Sequence, residues 1–316
     1  MKTNIDTMDV KVENLSVVIP VYNDQEVIAE LYRRLHTVVA SIATKYEIIL
    51  VDDGSQDNSW SEILKLRQHD EHIVAVKLVR NFGQQNSIAA GLNVSKGDII
   101  ILMDSDLQDR PEDIPALIST LQQSGASMVI AQWQTRKDTW AKRAVSNLFN
   151  RVSNSITSIH IAPHLGVFRA IKRSVVEELK KFPEKTSTTL SLLYYIGANY
   201  AIVPLKRDAR FAGKSGYNVR KMLGLTFARI FSFSMFPIRM VTYLGAFLCI
   251  GSMIAAMALI IYKLVGNVVA GWTSMMVLML FLFGLNFAFL GVLGEYIGKV
   301  FLETKQRPNY IIEQIQ

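Results

Sequence analysis

Short apolar runs and helix-spaced apolar positions alternate along the first 131 residues. The runs at 15–19, 47–51, 73–78, 98–103 and 128–131 read as buried strands. Between them, 26–43, 58–67 and 84–94 carry apolar residues at helical spacing, with Asp57 or Asn58 as N-cap of the second. Pro111 opens a further helix at a position where its missing N–H costs nothing. Strands that alternate with helices predict an α/β domain, Rossmann-like, with a mostly parallel sheet covered on both faces. Beyond Gln132 the rhythm changes. Residues 138–158 read as one basic helix, 167–171 as a short strand, 174–181 as a helix and 200–204 as a strand.

The last third has a different pattern. Residues 218–236 set Arg220, Lys221 and Arg229 against an apolar stripe, as in a helix lying in a membrane interface. No charged residue occurs from 240 to 262 or from 264 to 294, and each stretch can supply the roughly 20 residues that span a bilayer. The short link at 263–271 makes two spans, 237–262 and 272–301, an antiparallel hairpin. The predicted organisation is therefore a domain at 1–217, an interfacial helix at 218–236, two transmembrane helices within 237–302 and a tail at 303–316.

Arg239 before the pair and Lys299, Lys305 and Arg307 at its end outweigh the one lysine of the link. The positive-inside rule then predicts a multi-pass cell (inner) membrane protein, its domain and both termini cytoplasmic. The polar, charged residues 1–14 do not read as a secretory signal. Net charge is +7 and the mean hydropathy +0.23. Because the basic residues adjoin the apolar segments, anionic lipid is the expected partner and nucleic acid is not. Cys249 is the single cysteine, which excludes an intrachain disulfide or a multi-cysteine metal site. Gly291, Gly294 and Gly298 would let second spans pack closely, so a homo-oligomer is expected.

Candidate chemistry collects at the strand ends. The first strand runs into Pro20-Val21-Tyr22-Asn23-Asp24, the second into Asp52-Asp53-Gly54-Ser55, and the fourth into Asp104-Ser105-Asp106-Leu107-Gln108. In a parallel sheet these loops share the edge where open α/β folds bind ligands. Two carboxylates and a carboxamide at alternate positions suit a hard cation, Mg²⁺ or Mn²⁺. Asp53-Gly54 alone would read as a plain turn. The five histidines show no metal-ligand spacing. Trp133 and Trp140 suit packing or ligand stacking.

Val17-Val18-Ile19-Pro20-Val21-Tyr22-Asn23, Val51-Asp52-Asp53-Gly54-Ser55 and Asp104-Ser105-Asp106-Leu107-Gln108 resemble the family 2 glycosyltransferases of the GT-A fold. The D-x-D-L-Q form, Arg207 and Arg210 before Gly213-Lys214-Ser215, and the apolar pair narrow this to the polyprenyl-phosphate type, like dolichyl-phosphate mannose synthase and bacterial undecaprenyl-phosphate glucosyltransferases.

The resemblance implies that Pro20, Tyr22, Asp24, Asp52, Asp53, Gly54 and Asp104 hold a nucleotide sugar, and that Asp104, Asp106 and Gln108 hold Mg²⁺ or Mn²⁺. It also implies that Arg136 reaches donor or acceptor phosphates, and that Arg207, Arg210, Lys214 and Ser215 receive the lipid phosphate. Asp104, Asp106, Arg136, Arg207 and Arg210 would form the catalytic set. The chain departs from the family at Val167, where an acidic residue is common, at Thr139, where a second arginine is usual, and at Asp24, where glutamate is usual.

The implied activity is metal-dependent, inverting transfer of a glucose-like sugar from a UDP-sugar to undecaprenyl or another polyprenyl phosphate. An already ionised phosphate acceptor needs no strong general base, and none is assigned. A processive polysaccharide synthase would add a Q-x-x-R-W motif and more spans, and the chain has neither. A non-catalytic nucleotide-sugar-binding scaffold is the alternative from another class, and the paired Asp106 and Gln108 speak against it.

Overall fold

A computed structural model of the chain describes residues 10–133, 165–182, 188–196, 199–208 and 271–316, together with scattered positions between 238 and 261. Two compact units emerge, one comprising residues up to Leu223 plus 308–316, the other 224–307.

In the first unit the sheet begins with β1 (Val12–Val21), β2 (Ala43–Asp52), β3 (Ile73–Leu78) and β4 (Ile99–Leu102), which run parallel to one another. It is completed by β5 (Met128–Trp133), β6 (Leu165–Lys172), β7 (Tyr200–Leu205) and β8 (Ile312–Ile315) in the order β7-β5-β6-β4-β1-β2-β3-β8. β6 lies antiparallel to both β4 and β5, β7 is parallel to β5, and β8 is antiparallel to β3. The sheet is thus mostly parallel, with β6 and β8 reversed.

The connections carry α1 (Ile28–Ile42), α2 (Ser59–His69), α3 (Gln84–Val94) and α4 (Ile114–Gln123), then α5 (Arg173–Lys180) and α6 (Thr189–Tyr195). Alternation along β1 explains the layers. Leu15, Val17, Ile19 and Val21 face one core with Leu31, Leu35 and Val39 of α1 and Leu117 of α4. Val18 faces the other way, against α3, where a Cβ on Gly91 would stand 2.3 Å from Val18 Cγ1. A strand buried on both faces is apolar along its buried length, as β4 is throughout and β1 is from Val17 to Val21.

Two features differ from the sequence expectation, and one settles between two candidates. The reversal of β6 places its first residues, not its last, at the carboxyl edge of its neighbours. The 303–316 segment, expected as a tail, supplies edge strand β8. Ala75 and Gln316 exchange N–H···O bonds of 2.9 Å each, and Lys77 meets Glu313 at 3.1 Å. At the start of α2, of the two cap candidates, Asn58 makes no side-chain cap, whereas Asp57 Oδ1 accepts from the Ser59 N–H at 2.9 Å.

The second unit contains α7 (Trp272–Thr304), 33 residues, or about 50 Å of helix. Its portion Leu282–Thr304 is long and apolar enough to cross a membrane, the one such helix among the described residues. The described positions between 238 and 261 are helical, and Gly245 lies 3.9 Å, measured from an ideal Cβ, from the Phe289 ring of α7. The expected helices at 138–158 and 218–236 lie outside the described residues.

Candidate active site

The loops after β1 and β2 are stitched together. Asn23 adopts a left-handed backbone (φ 55°), its Oδ1 accepts from the Gln56 N–H at 2.8 Å, and its own N–H donates to Ser55 Oγ at 3.0 Å. The Asp24 N–H donates to Ser59 Oγ at 2.9 Å. Pro20 is buried at the end of β1, whereas Tyr22 is exposed beside it. Gly54 has φ +67°, and a Cβ there would fall 2.5 Å from the Arg80 carbonyl carbon. Only glycine permits that close approach of the loop to the 80–83 segment.

Asp52 and Asp53, adjacent in sequence, do different work. Both oxygens of Asp53 accept backbone N–H groups, Phe82 at 2.8 Å and Gly83 at 2.9 Å, at the head of α3. Asp52 Oδ1 accepts a weak bond from the Ser55 N–H at 3.3 Å, while its buried Oδ2 has no hydrogen-bond partner among the described residues. Burial pushes both carboxyls above the usual range, opposed at Asp52 by Ser55 and at Asp53 by Phe82, Ser87 and Gly83. The nucleotide-binding expectation thus suits Asp52 more closely than Asp53, whose carboxylate is committed to holding the neighbouring loop.

The loop after β4 alternates inward and outward. Ser105, Leu107 and Asp109 are buried; Asp104, Asp106 and Gln108 are partly exposed. Leu107 keeps its side chain inside by adopting φ +56°, rare for a residue with a Cβ. Asp106 Oδ1 accepts from the Gln108 N–H at 3.1 Å, so the two expected cation ligands share one turn. Asp104 Oδ1 accepts from Gln84 Nε2 at 2.6 Å. Ser105 Oγ donates to Asp24 Oδ2, joining this loop to the one after β1. Burial raises the Asp24 carboxyl, Ser105 opposing, with Asp106 adding repulsion.

The residues just past β7 close over this loop. The Asp208 N–H donates to the Gln108 carbonyl at 3.1 Å, and Asp208 meets Arg110 at 3.7 Å. Arg207 stands between Asp104 at 3.8 Å and Asp109 at 3.5 Å, with its guanidinium 5.2 Å from the Trp133 ring centre. Burial, reinforced by Asp104, pushes the Asp109 carboxyl up to about 8, and Arg207 opposes the shift. On β6, Arg169 is wholly buried and donates to the carbonyls of Val167 at 3.0 Å and Gly166 at 2.7 Å.

Of the expected site residues, Pro20, Tyr22, Asp24, Asp52, Asp53, Gly54, Asp104, Asp106, Gln108 and Arg207 therefore gather at one sheet edge. Arg136, Arg210, Lys214 and Ser215 lie outside the described residues. Gln84, Asp109 and Gly166 join the site without having been picked out as members of it, and Trp133, offered for packing or ligand stacking, lies beside Arg207. Among the described residues no three His, Cys, Asp or Glu side chains form a preassembled metal cluster. Asp104, Asp106 and Gln108 offer hard oxygens and two carboxylates, a donor set that suits Mg²⁺ or Mn²⁺.

A family model described as "Glycosyl transferase family 2" matches residues 16–180. The chain is 38% identical over 301 residues to the bactoprenol glucosyl transferase of Shigella phage SfX, covering 95% of this chain and 98% of that one. It is 37% identical to the prophage bactoprenol glucosyl transferase homolog of Escherichia coli K12, covering 96% and 99%. Among solved structures, glucosyl-3-phosphoglycerate synthase from Mycobacterium tuberculosis superimposes with a TM-score of 0.51 at 20% identity, over 70% of this chain and 79% of that one. Mannosyl-3-phosphoglycerate synthase from Rubrobacter xylanophilus gives 0.50 at 16%, over 74% and 75%. These likenesses show a shared fold.

Proposed function

The chain belongs to glycosyl transferase family 2 and is a glycosyltransferase, and we propose that it moves glucose from UDP-glucose to the phosphate of a polyprenyl phosphate at the cytoplasmic membrane face. The printed activity of its bactoprenol glucosyl transferase relatives supports the acceptor and the sugar. The observation that carries the reading is the convergence at one edge of the 104–108 loop, Arg207 and an Asp52 oxygen with no partner among the described residues.

Within that reading each residue has a task. Asp52 Oδ2 accepts from an N–H of the nucleobase, which meets the need of a buried, unpartnered oxygen. Gly54 and the 80–83 segment shape the floor of the nucleotide pocket. Asp104, Asp106 and Gln108 hold Mg²⁺ or Mn²⁺, which when bound neutralises charge on the departing diphosphate. Arg207, with Arg136, Arg210, Lys214 and Ser215, orients the acceptor phosphate. That phosphate is ionised near neutral pH, so one of its oxygens attacks the anomeric carbon without a strong base. The bond to the nucleoside diphosphate breaks on the opposite face, and the anomeric configuration inverts. α7 and the apolar segment before it hold the chain at the bilayer.

The purified full-length protein, given polyprenyl phosphate, Mn²⁺ and a panel of nucleotide sugars, is expected to consume UDP-glucose in preference to the others. Release of UDP measured by coupled assay tests this. Folded protein that releases no nucleotide from any donor would overturn it.

A further inference from the structure

Two arginines stand near the carboxyl edge of the sheet and are treated in opposite ways. Arg169 is fully buried and donates to the carbonyls of Val167 and Gly166, with Met128 Sδ at 3.9 Å and the Tyr194 ring centre 5.6 Å away. Arg207 keeps 28% of its side chain exposed and, among the described residues, makes no side-chain hydrogen bond: it approaches Asp109 at 3.5 Å and the Asp104 carboxylate at 3.8 Å, both beyond hydrogen-bond geometry, and the Nε–H is unpartnered. What defines its place is a ring. The Trp133 indole lies 5.2 Å from the guanidinium carbon, within cation–π range.

The topology explains how the ring comes to be there. β5 lies between β6 and β7, with Gln132 opposite Leu165 and Trp133 opposite Leu205. Trp133, the last residue of β5, is therefore flanked by Gly166 on one neighbour and by the exit of β7 toward Arg207 on the other. Gly166 leaves the indole its space. A Cβ there would stand 2.7 Å from Trp133 Nε1 and 2.9 Å from Cζ2, closer than side-chain carbons are found. The backbone at 166 has an ordinary φ, so steric room, and not conformational freedom, accounts for glycine at this position.

We infer that Trp133 is a positioning residue for Arg207, seated by the absence of a side chain at Gly166, and that the pair presets the guanidinium to receive the acceptor phosphate. A cation held by a ring face and by charges keeps its N–H fork unspent for an incoming phosphate. It also avoids the ordering cost of an arginine that must be collected from solvent. The role rests on the proposed transfer to a lipid phosphate.

The test uses the full-length protein with UDP-glucose, Mn²⁺ and polyprenyl phosphate. Trp133→Leu is expected to raise the KM for polyprenyl phosphate about tenfold, the scale of a partly desolvated cation–π contact. The Kd for UDP, measured by calorimetry, is expected to stay within about twofold, and Trp133→Phe to restore most of the acceptor affinity. In an Arg207→Lys background, Trp133→Leu is expected to add little. Gly166→Ala, which displaces the ring without removing it, is expected to give the same acceptor-side loss and stands in for Trp133→Leu should that variant not fold. Independent, multiplicative effects of Trp133→Leu and Arg207→Lys would overturn the inference, as would a loss confined to UDP binding. Wild-type protein that makes no lipid-linked sugar would remove the proposed function and this inference together, whereas an active wild type with independent variants removes the inference alone.

Discussion

Arg207 reaches within 3.8 Å of Asp104, so a residue just past β7 and one just past β4 meet at one edge of the sheet although 103 positions separate them. In the proposed reaction this makes a cation ligand and a phosphate receiver neighbours, which is what transfer between a nucleoside diphosphate and a phosphate acceptor requires. Arg207→Ala is expected to lower kcat/KM at least about a hundredfold with polyprenyl phosphate, the scale of a lost electrostatic contact to the reacting groups. Its UDP affinity should change far less, and steady-state kinetics beside calorimetry separates the two.

Asp52 and Asp53 give a paired prediction. Asp53 ties down the N–H groups of Phe82 and Gly83, so Asp53→Ala is expected to cost about 2–3 kcal/mol of stability in denaturant unfolding. Asp52→Asn should leave stability nearly unchanged and weaken UDP binding, because its free oxygen is replaced by a group that cannot accept in the same way. The reverse pattern would show that the two roles are exchanged.

Gly54→Ala introduces a Cβ 2.5 Å from backbone carbon at a φ of +67°. Strain and overlap together should cost about 2–4 kcal/mol, visible as a lowered Tm. Gly125, also at positive φ (+66°) but with open space around it, should tolerate alanine with the smaller backbone cost of about 1 kcal/mol.

Away from that edge, Asp70 accepts from the His72 N–H at 2.9 Å and from Tyr32 Oη at 2.9 Å, and lies 2.7 Å from His72 Nδ1. Burial would raise its carboxyl, but the bonds from His72 and Tyr32 win and hold it below the usual value. A lowered folded value means that the unfolded chain binds the proton more tightly. The contribution is therefore full above the unfolded pKa near 4 and is lost as the pH falls through the folded value. Asp70→Asn is expected to lose about 2 kcal/mol at pH 7 and progressively less below pH 4, followed by urea titrations at several pH values.

β8 covers the edge of β3. Deleting residues 310–316 removes the Ala75–Gln316 pair of bonds and the Val79 N–H to Ile311 carbonyl bond of 3.1 Å. The expected result is a loss of about 3 kcal/mol and a tendency to self-associate through the bared edge. Thermal unfolding and light scattering check both.

Much of this architecture is legible from apolar periodicity. The bounds of β3 and α3 agree with the sequence pattern residue for residue, because β3 is an apolar run preceded by Asp70-Glu71-His72 and α3 is bracketed by Gly83 and Ser95. The reversal of β6 is not legible, because the direction of a strand depends on how the chain before it returns to the sheet. Nor is β8, since an edge strand of four residues exists by virtue of its partner. Composition places Asp104, Asp106 and Gln108 in the site, but Asp109 is missed. Counting by twos from Met103 would have found it: 103, 105, 107 and 109 all point inward. Asp53 shows the converse, an acid in a recognisable motif whose carboxylate serves the fold.

The most direct test is the mass of the lipid product. The purified full-length chain, incubated with polyprenyl phosphate, UDP-glucose and Mn²⁺, is predicted to yield polyprenyl phosphate carrying one hexose, and the species should vanish with a chelator and in Asp106→Asn. No such species from folded wild-type protein, or its undiminished formation by Asp106→Asn in the presence of chelator, would contradict the account.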